Sequence, residues 1–227
     1  MIAKTDPYYS NFPKQNYPHY NDEQDDVRRQ GLALLKAMDD AVGSLVQTLR
    51  KHGLEENTLI LFAGDNGAPG KQTHNSEIGS WNGSNNVPLR GVKGWLHEGG
   101  IRVPMFAYWK GTILPGKVIN EMVTTLDFTA TAVALGGGEI PAEFDGVNLM
   151  PRLTGAVTEI TRSQPMYWDF YTGQAIRMGD WKLVQTKKQD ELYNLAKYVG
   201  GTTDLSKNYP KVVDLLVKHW EAYRIKG

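Results

Sequence analysis

Between residues 26 and 52 the apolar side chains Leu34, Leu35, Met38, Val42, Leu45, Val46 and Leu49 recur at three- and four-residue spacing, the repeat of a helix with one apolar face. Gly53 supplies a C-terminal stop. Gly31 and Gly43 fall inside this pattern, and each weakens it by roughly 1 kcal/mol relative to Ala, a loss that packing of the apolar stripe is expected to outweigh. After a connector at 54–57 the period changes. Thr58-Leu59-Ile60-Leu61-Phe62-Ala63 is a continuous apolar run that ends abruptly at Gly64-Asp65-Asn66-Gly67. It reads as a strand covered on both faces of an α/β domain. Ligands of open α/β sheets bind beyond the carboxyl ends of the strands, where Asp65 and Asn66 would sit.

Residues 68–100 are rich in Gly, Asn and Ser without a clear period and predict a long functional loop. A second buried strand is predicted over 101–109, with Pro104 arguing against a central position unless a bulge accommodates it. Residues 124–135 predict a short helix capped by Thr125 or Asp127 and ended by Gly136-Gly137-Gly138. From about residue 160 the pattern shifts to short segments at 166–170, 174–178, 181–185 and 191–195, separated by turn chemistry, the signature of an antiparallel meander. An amphipathic helix over 209–223 closes the chain, with Val212, Val213, Leu215, Leu216 and Trp220 on one side. The first 25 residues have no sustained period and read as an irregular arm. The resulting division is an arm at 1–25, an α/β body at 26–158 and a smaller α+β subdomain at 159–227.

Composition narrows the function classes. At 227 residues and 41% hydrophobic content the chain can build a real core, which excludes whole-chain disorder. Lys+Arg and Asp+Glu both number 25, so there is no net field to draw nucleic acid or an anionic membrane. No apolar run reaches the roughly 18 residues of a membrane span, and the first residues, MIAKTDPYYSNFP, do not form a signal peptide. There is no cysteine, which removes disulfides, thiolate metal sites and any cysteine-derived nucleophile from these residues.

Two stretches carry a resemblance. GLEENTLILFAGDNGAP at 53–69, followed by PLRGVKGWLHEGGIRVPMFAYWKG at 88–111, resembles the type I (formylglycine-dependent) sulfatases, the arylsulfatase family of the alkaline-phosphatase-like superfamily. Supporting similarity runs through DDAVG, LDFTATAVALGG, DGVNLMPRLTG, AIRMGDWKLV and ELYNL, in the family's order from residue 30 onward. What is matched is the C-terminal half of such an enzyme. The implied fold is α/β, a partial alkaline-phosphatase-like mixed sheet with flanking helices plus a C-terminal antiparallel subdomain. The implied activity is sulfuric ester hydrolysis by the full-length enzyme. Such enzymes are often periplasmic, secreted or lysosomal, and nothing in this sequence selects among these compartments.

The resemblance assigns Asp65 and Asn66 as two of the four protein ligands of a Ca²⁺ ion, although Asp-Asn-Gly in isolation is also a favoured turn. Carboxylate and amide oxygens are the donors that Ca²⁺ takes readily. The same resemblance puts Lys93, in Leu-Arg-Gly-x-Lys, in contact with the sulfate of the substrate, where a compact ammonium suits one oxygen as a point charge. His74 lies in the variable part of the loop, where both a substrate contact and a plain surface position stand open. Arg90 and Arg102 are expected to form structural pairs, with Glu98 a partner, and His97 to be packed or hydrogen-bonded. Trp81, Trp95, Trp109, Trp168 and Trp181 are expected to pack in core and loops.

The family's Cys- or Ser-x-Pro-x-Arg segment, whose first residue becomes the formylglycine nucleophile, has no counterpart here. Ser163-Gln164-Pro165-Met166-Tyr167 lacks the arginine and falls in the wrong subdomain. The sequence therefore predicts part of a metal and sulfate site without its nucleophile. The expected partners are a sulfate-ester small molecule or a sulfated sugar, with a homo-oligomer or a complementing N-terminal half as associates. Two alternatives stay open: a noncatalytic truncated or split product acting as a binding subunit, and a phosphodiesterase or phosphonate hydrolase of the same superfamily.

Overall fold

A computed structural model describes residues 22–70 and 83–224, with side chains from residue 26 onward. Helix α1 (Asp22–Lys51) confirms the first amphipathic period. Gly53 terminates it with φ +67°, a left-handed conformation that glycine adopts without a Cβ penalty. A 3-10 turn, Glu55–Asn57, leads into strand β1 (Ile60–Ala63). Its carboxylate Glu55 is buried and accepts hydrogen bonds from Arg50 Nε at 2.8 Å and the Tyr108 hydroxyl at 2.6 Å, tying α1 to strand β2 (Met105–Tyr108).

Strands β1 and β2 pair antiparallel, with Ile60 opposite Tyr108 and Ala63 opposite Met105. Three expectations are corrected here. The β1 run is half-buried throughout rather than buried on both faces, and β2 is its only paired neighbour among the described residues. Phe62 and Phe106 stack at 4.8 Å, yet Phe106 remains 45% exposed. The second strand begins at Met105 instead of 101: Glu98–Ile101 forms the one-turn helix α2, and Pro104 sits just outside the strand, where its carbonyl accepts from Gly64 N–H at 3.0 Å. A proline can offer its carbonyl to a ladder but no N–H, so the strand starts after it. Finally, the apolar stripe of α1 is not packed along its length, since Leu34, Leu35, Met38 and Leu45 are exposed while Ala33 is buried.

Helix α3 (Leu126–Leu135) ends at Gly136 as expected. The capping differs from either alternative: Thr125 occupies the N-cap position without a side-chain cap bond. Buried Asp127 instead accepts from the N–H groups of Thr124 at 2.7 Å and Val147 at 2.8 Å and pairs with Arg162. The short helix α4 (Met150–Thr154) follows, stopped by Gly155 in the left-handed region.

The predicted meander is present as β3 (Met166–Phe170), β4 (Gly173–Met178), β5 (Trp181–Thr186) and β6 (Asp190–Asn194), paired antiparallel in chain order. Helix α5 (Pro210–Arg224) covers one face, where Leu216 and Trp220 meet Ile176, Leu183 and Leu192. Leu215, placed on that side by the sequence period, is 43% exposed. The opposite face packs Ala175, Val184, Tyr193 and Leu195 on Leu96, which the loop ahead of α2 delivers, with Trp168 at the edge. The best-buried part of the molecule is thus this sheet, held between a helix and the loop at 90–102.

Among the described residues no helix is long and apolar enough to cross a membrane.

Candidate functional site

The end of β1 and the loop at 83–102 are bound into one unit by backbone contacts. Gly64 N–H and Gly67 N–H donate to Pro104 O and Gly100 O at 3.0 and 2.9 Å, and this fixes the Asp65-Asn66 step between them. The approach is so close that a Cβ on Gly67 would lie 1.7 Å from Gly99 O, so no larger residue fits without moving the backbone. Asp65 is exposed and Asn66 half-buried, and the Asn66 side-chain amide donates to the Asp65 carboxylate.

Asn86 clamps this end of β1 to the loop. Its Oδ1 accepts from Ala68 N–H at 2.8 Å, while Nδ2 donates to Ala68 O at 2.9 Å and Gly91 O at 3.1 Å. Lys93 N–H then donates to Ala68 O at 3.1 Å, which brings the Lys93 backbone to within three residues of Asp65 along the opposing chain. The Lys93 side chain is exposed. The structure therefore gathers Asp65, Asn66 and the Lys93 loop into one region. His74 and Trp81 lie outside the described residues. Ser163 stands ahead of β3, at the end of that strand remote from the Lys93 loop.

A cleft of about 1110 Å³ opens beside this region. Asp65, Asn66, Gly94 and Trp95 line it from the loop, and Trp168, Phe170 and Arg177 from the four-stranded sheet. Lys93 does not line it. The Arg177 Nε donates to Gly179 O at 3.1 Å, and burial lowers the pKa of its guanidinium below the ordinary value.

The charged residues of the loop are paired, Arg90 and Glu98 with the four-stranded sheet and Arg102 with Glu98. Arg90 Nη2 donates to Glu191 Oε1 at 2.8 Å, and another guanidinium nitrogen donates to the Tyr193 hydroxyl. Arg102 stands 3.6 Å from Glu98, and Glu98 in turn accepts from Lys182 Nζ at 2.7 Å. Both arginines thus form ion pairs, as expected, Arg90 with Glu191 and Arg102 with Glu98. Lys182 also lies 5.5 Å from the centre of the Trp168 ring. His97 is buried, with Nε2 2.6 Å from Glu191 Oε2 and Nδ1 without a partner. Burial lowers the His97 pKa, more than the Glu191 contact raises it. A neutral ring protonated at Nε2 agrees with this, since a second proton would put an unsatisfied N–H on buried Nδ1. Burial also pushes the Glu191 carboxyl up, but hydrogen bonds from His97, Arg90 and Tyr193 outweigh it and leave the pKa lowered. The Tyr193 hydroxyl is pushed well up by burial and by the neighbouring Glu191 charge.

Asn86, Glu191, Lys182 and the hairpin aromatics were not singled out by sequence reasoning. Asn86 sits in an aperiodic Asn/Ser/Gly tract, whereas Lys182 and Glu191 carried a usable signal: charged residues at positions whose strand alternation points them inward.

Comparison with known proteins gives the following. The family model described as Sulfatase matches residues 3–138, and the model described as N-sulphoglucosamine sulphohydrolase, C-terminal, matches residues 92–216. Steryl-sulfatase of Rattus norvegicus is 40% identical over 128 residues, covering 54% of this chain and 21% of that protein. Arylsulfatase A of Homo sapiens is 37% identical over 153 residues, covering 65% and 29%. A solved structure of Ps i-CgsB in complex with k-i-k-neocarrahexaose superposes with a TM-score of 0.78 at 28% identity, covering 97% of this chain and 48% of that one. The chain thus spans between about a fifth and a half of the length of these relatives.

Proposed function

The chain belongs to the sulfatase family, and from that membership we propose that the protein acts in the hydrolysis of sulfate monoesters, with this stretch contributing part of the metal and sulfate site. The observation that carries the reading is the junction at Ala68: the carbonyl that Asn86 holds also receives Lys93 N–H, so the candidate anion-binding loop is fastened just beyond the candidate metal ligands.

Asp65 and Asn66 suit Ca²⁺ in kind, as hard oxygen donors at an exposed strand end, but not in number. The described residues contain no group of three His, Asp or Glu able to hold a metal, and Ca²⁺ takes roughly 6 to 8 oxygens. Bound there, the cation would draw charge from the sulfate oxygens. Lys93 would meet one sulfate oxygen with its ammonium, and the Asn86 clamp would keep the loop from drifting away from Asp65. The formylglycine motif is absent from these residues. We therefore expect weak Ca²⁺ binding and no detectable turnover by the 227-residue chain itself.

The substrate class favoured is a sulfate ester of a sugar or aryl alcohol. The names of the curated relatives support it, as does the oligosaccharide bound by Ps i-CgsB. Exposed apolar residues on α1 and β2, among them Leu34, Leu35, Met38 and Phe106, support association with further polypeptide, either a second copy or a complementing segment. A monomeric light-scattering peak would remove that association.

Calorimetric titration of the purified chain with Ca²⁺ and with inorganic sulfate tests the reading. Asp65→Ala and Asn66→Ala are expected to weaken Ca²⁺ binding, and Lys93→Ala to weaken sulfate binding several-fold. Sulfate binding indifferent to Lys93 overturns the assignment, and metal-dependent aryl-sulfate hydrolysis abolished by Lys93→Ala overturns the expectation of inactivity.

A further inference from the structure

The tip of the β3–β4 hairpin carries two aromatic side chains that the core does not use. Tyr171 is 66% exposed and Phe170 47% exposed, with ring centres 4.4 Å apart and planes inclined by 46°. Tyr209 and Tyr223 are also partly exposed, but each has a ring partner in the core: Tyr167 stacks on Tyr223 and meets Trp220, and Trp181 meets Tyr209. Strand alternation explains the difference. Trp168 points to the face that packs on Leu96, and Phe170, two residues on, shares that face. It has run past the edge of the core.

What lies under that overhang is the Lys93 loop. Thr172 Oγ1 donates to Gly94 O at 3.0 Å, which pins the hairpin tip to the residue after Lys93. Gly94 has φ +85°, and a Cβ there would stand 3.4 Å from the Tyr171 hydroxyl and 4.0 Å from Phe170 Cε1. Phe170 and Asp169 line the same cleft as Asp65 and Asn66. Phe170 and Asp169 therefore share a cleft with the candidate metal ligands, and both exposed rings stand against Gly94, the residue after the candidate sulfate-binding lysine.

We propose that Phe170 and Tyr171 form a saccharide-stacking subsite that holds the pyranose ring bearing the sulfate ester, and so set substrate specificity. This deepens the sulfate-hydrolysis reading and rests on it for the role of Lys93. The apolar C–H face of a pyranose lies against an aromatic ring while its edge hydroxyls stay hydrated or bond to polar neighbours. The Tyr171 hydroxyl and Asp169 carboxylate supply such neighbours.

Three probes test the proposal on the 227-residue chain: galactose 4-sulfate, galactose and inorganic sulfate, followed by titration and by saturation-transfer NMR from the aromatic protons. Tyr171→Ala and Phe170→Ala are each expected to weaken galactose 4-sulfate about tenfold and to leave inorganic sulfate within about twofold, because only the ring contact is lost. Tyr171→Trp should restore the sugar affinity, which separates a lost platform from a damaged fold. Saturation transfer to galactose that disappears in Tyr171→Ala supports the subsite independently of sulfate. Absence of binding, or sugar affinities unchanged in both alanine variants, overturns it. Inorganic sulfate binding unchanged in Lys93→Ala, with galactose transfer intact, overturns the sulfate reading and leaves the stacking subsite standing.

Discussion

Lys182 Nζ donates to Glu98 Oε1 at 2.7 Å, with the two side chains only 1% and 3% exposed. This buried pair joins β5 to helix α2, and so couples the four-stranded sheet to the loop that carries Lys93. Burial lowers the Lys182 pKa, and the Glu98 charge and hydrogen bond oppose that shift. Breaking such a pair from one side strands a charge in the interior, which costs about 3–5 kcal/mol, whereas replacing both partners by apolar groups is often neutral. Lys182→Met is therefore expected to destabilise strongly, and Lys182→Met with Glu98→Leu to recover much of the loss. Urea denaturation of the two variants checks this, and equal destabilisation by both would contradict it.

His97 sets a pH dependence. Its folded pKa is below 6.5, the ordinary value that it regains on unfolding. The unfolded chain therefore takes up the proton first as pH falls. The contribution of His97 to stability is complete above pH 6.5 and declines as pH drops from there toward the lowered folded value. Glu191, also lowered, adds a loss only below its ordinary 4.5. Melting temperatures from pH 8 to pH 5 should fall below pH 6.5 in the parent and flatten over that interval in His97→Gln.

Two glycines should respond in opposite directions to alanine. At Gly67 the added Cβ would collide with the Gly99 carbonyl, and the backbone shift needed is expected to cost about 1–3 kcal/mol and to disturb the Asp65-Asn66 step. At Gly43, an exposed position inside α1, a Cβ meets nothing within 4 Å. Gly43→Ala is expected to stabilise by about 0.5–1 kcal/mol through helix propensity. Thermal melts of the pair provide the comparison.

Asn86→Ala removes two hydrogen bonds that hold the Lys93 loop to Ala68 beyond β1 and a third, to Gly91 O, that braces the loop itself. Leaving those backbone groups of Ala68 and Gly91 without the amide is expected to cost about 1–3 kcal/mol. It should also speed hydrogen exchange at the Ala68 amide and weaken sulfate binding, although Asn86 is given no sulfate contact. Unchanged exchange at Ala68 would remove the clamp from the account.

The elements were legible from the sequence to different depths. The meander and α5 came through within one residue at most ends, because short alternating runs between turn residues satisfy their own backbone locally and bury one face each. The second strand did not: Ile101 looks like a strand former, but Gly99 and Gly100 allow the chain to turn tightly against Gly91 and Trp95, and the helical turn takes Ile101 with it. The pairing of Arg102 with Glu98 and the packing of His97 were read correctly, while the acceptor that unites His97 with Arg90, Glu191, lies 94 residues away from that histidine.

Local pattern and motif thus determined by themselves the β1 run, the meander and α5, that Asp65 and Asn66 follow β1, and that the chain resembles the sulfatases. These are properties of neighbours in sequence, governed by periodicity and turn chemistry. Only the tertiary structure decided that Asn86 clamps Ala68 to Gly91, that Lys182 meets Glu98 across 84 residues, and that the Phe170–Tyr171 tip rests on Gly94. Such contacts depend on how two sheets and a loop approach one another, and no spacing along the chain encodes that distance.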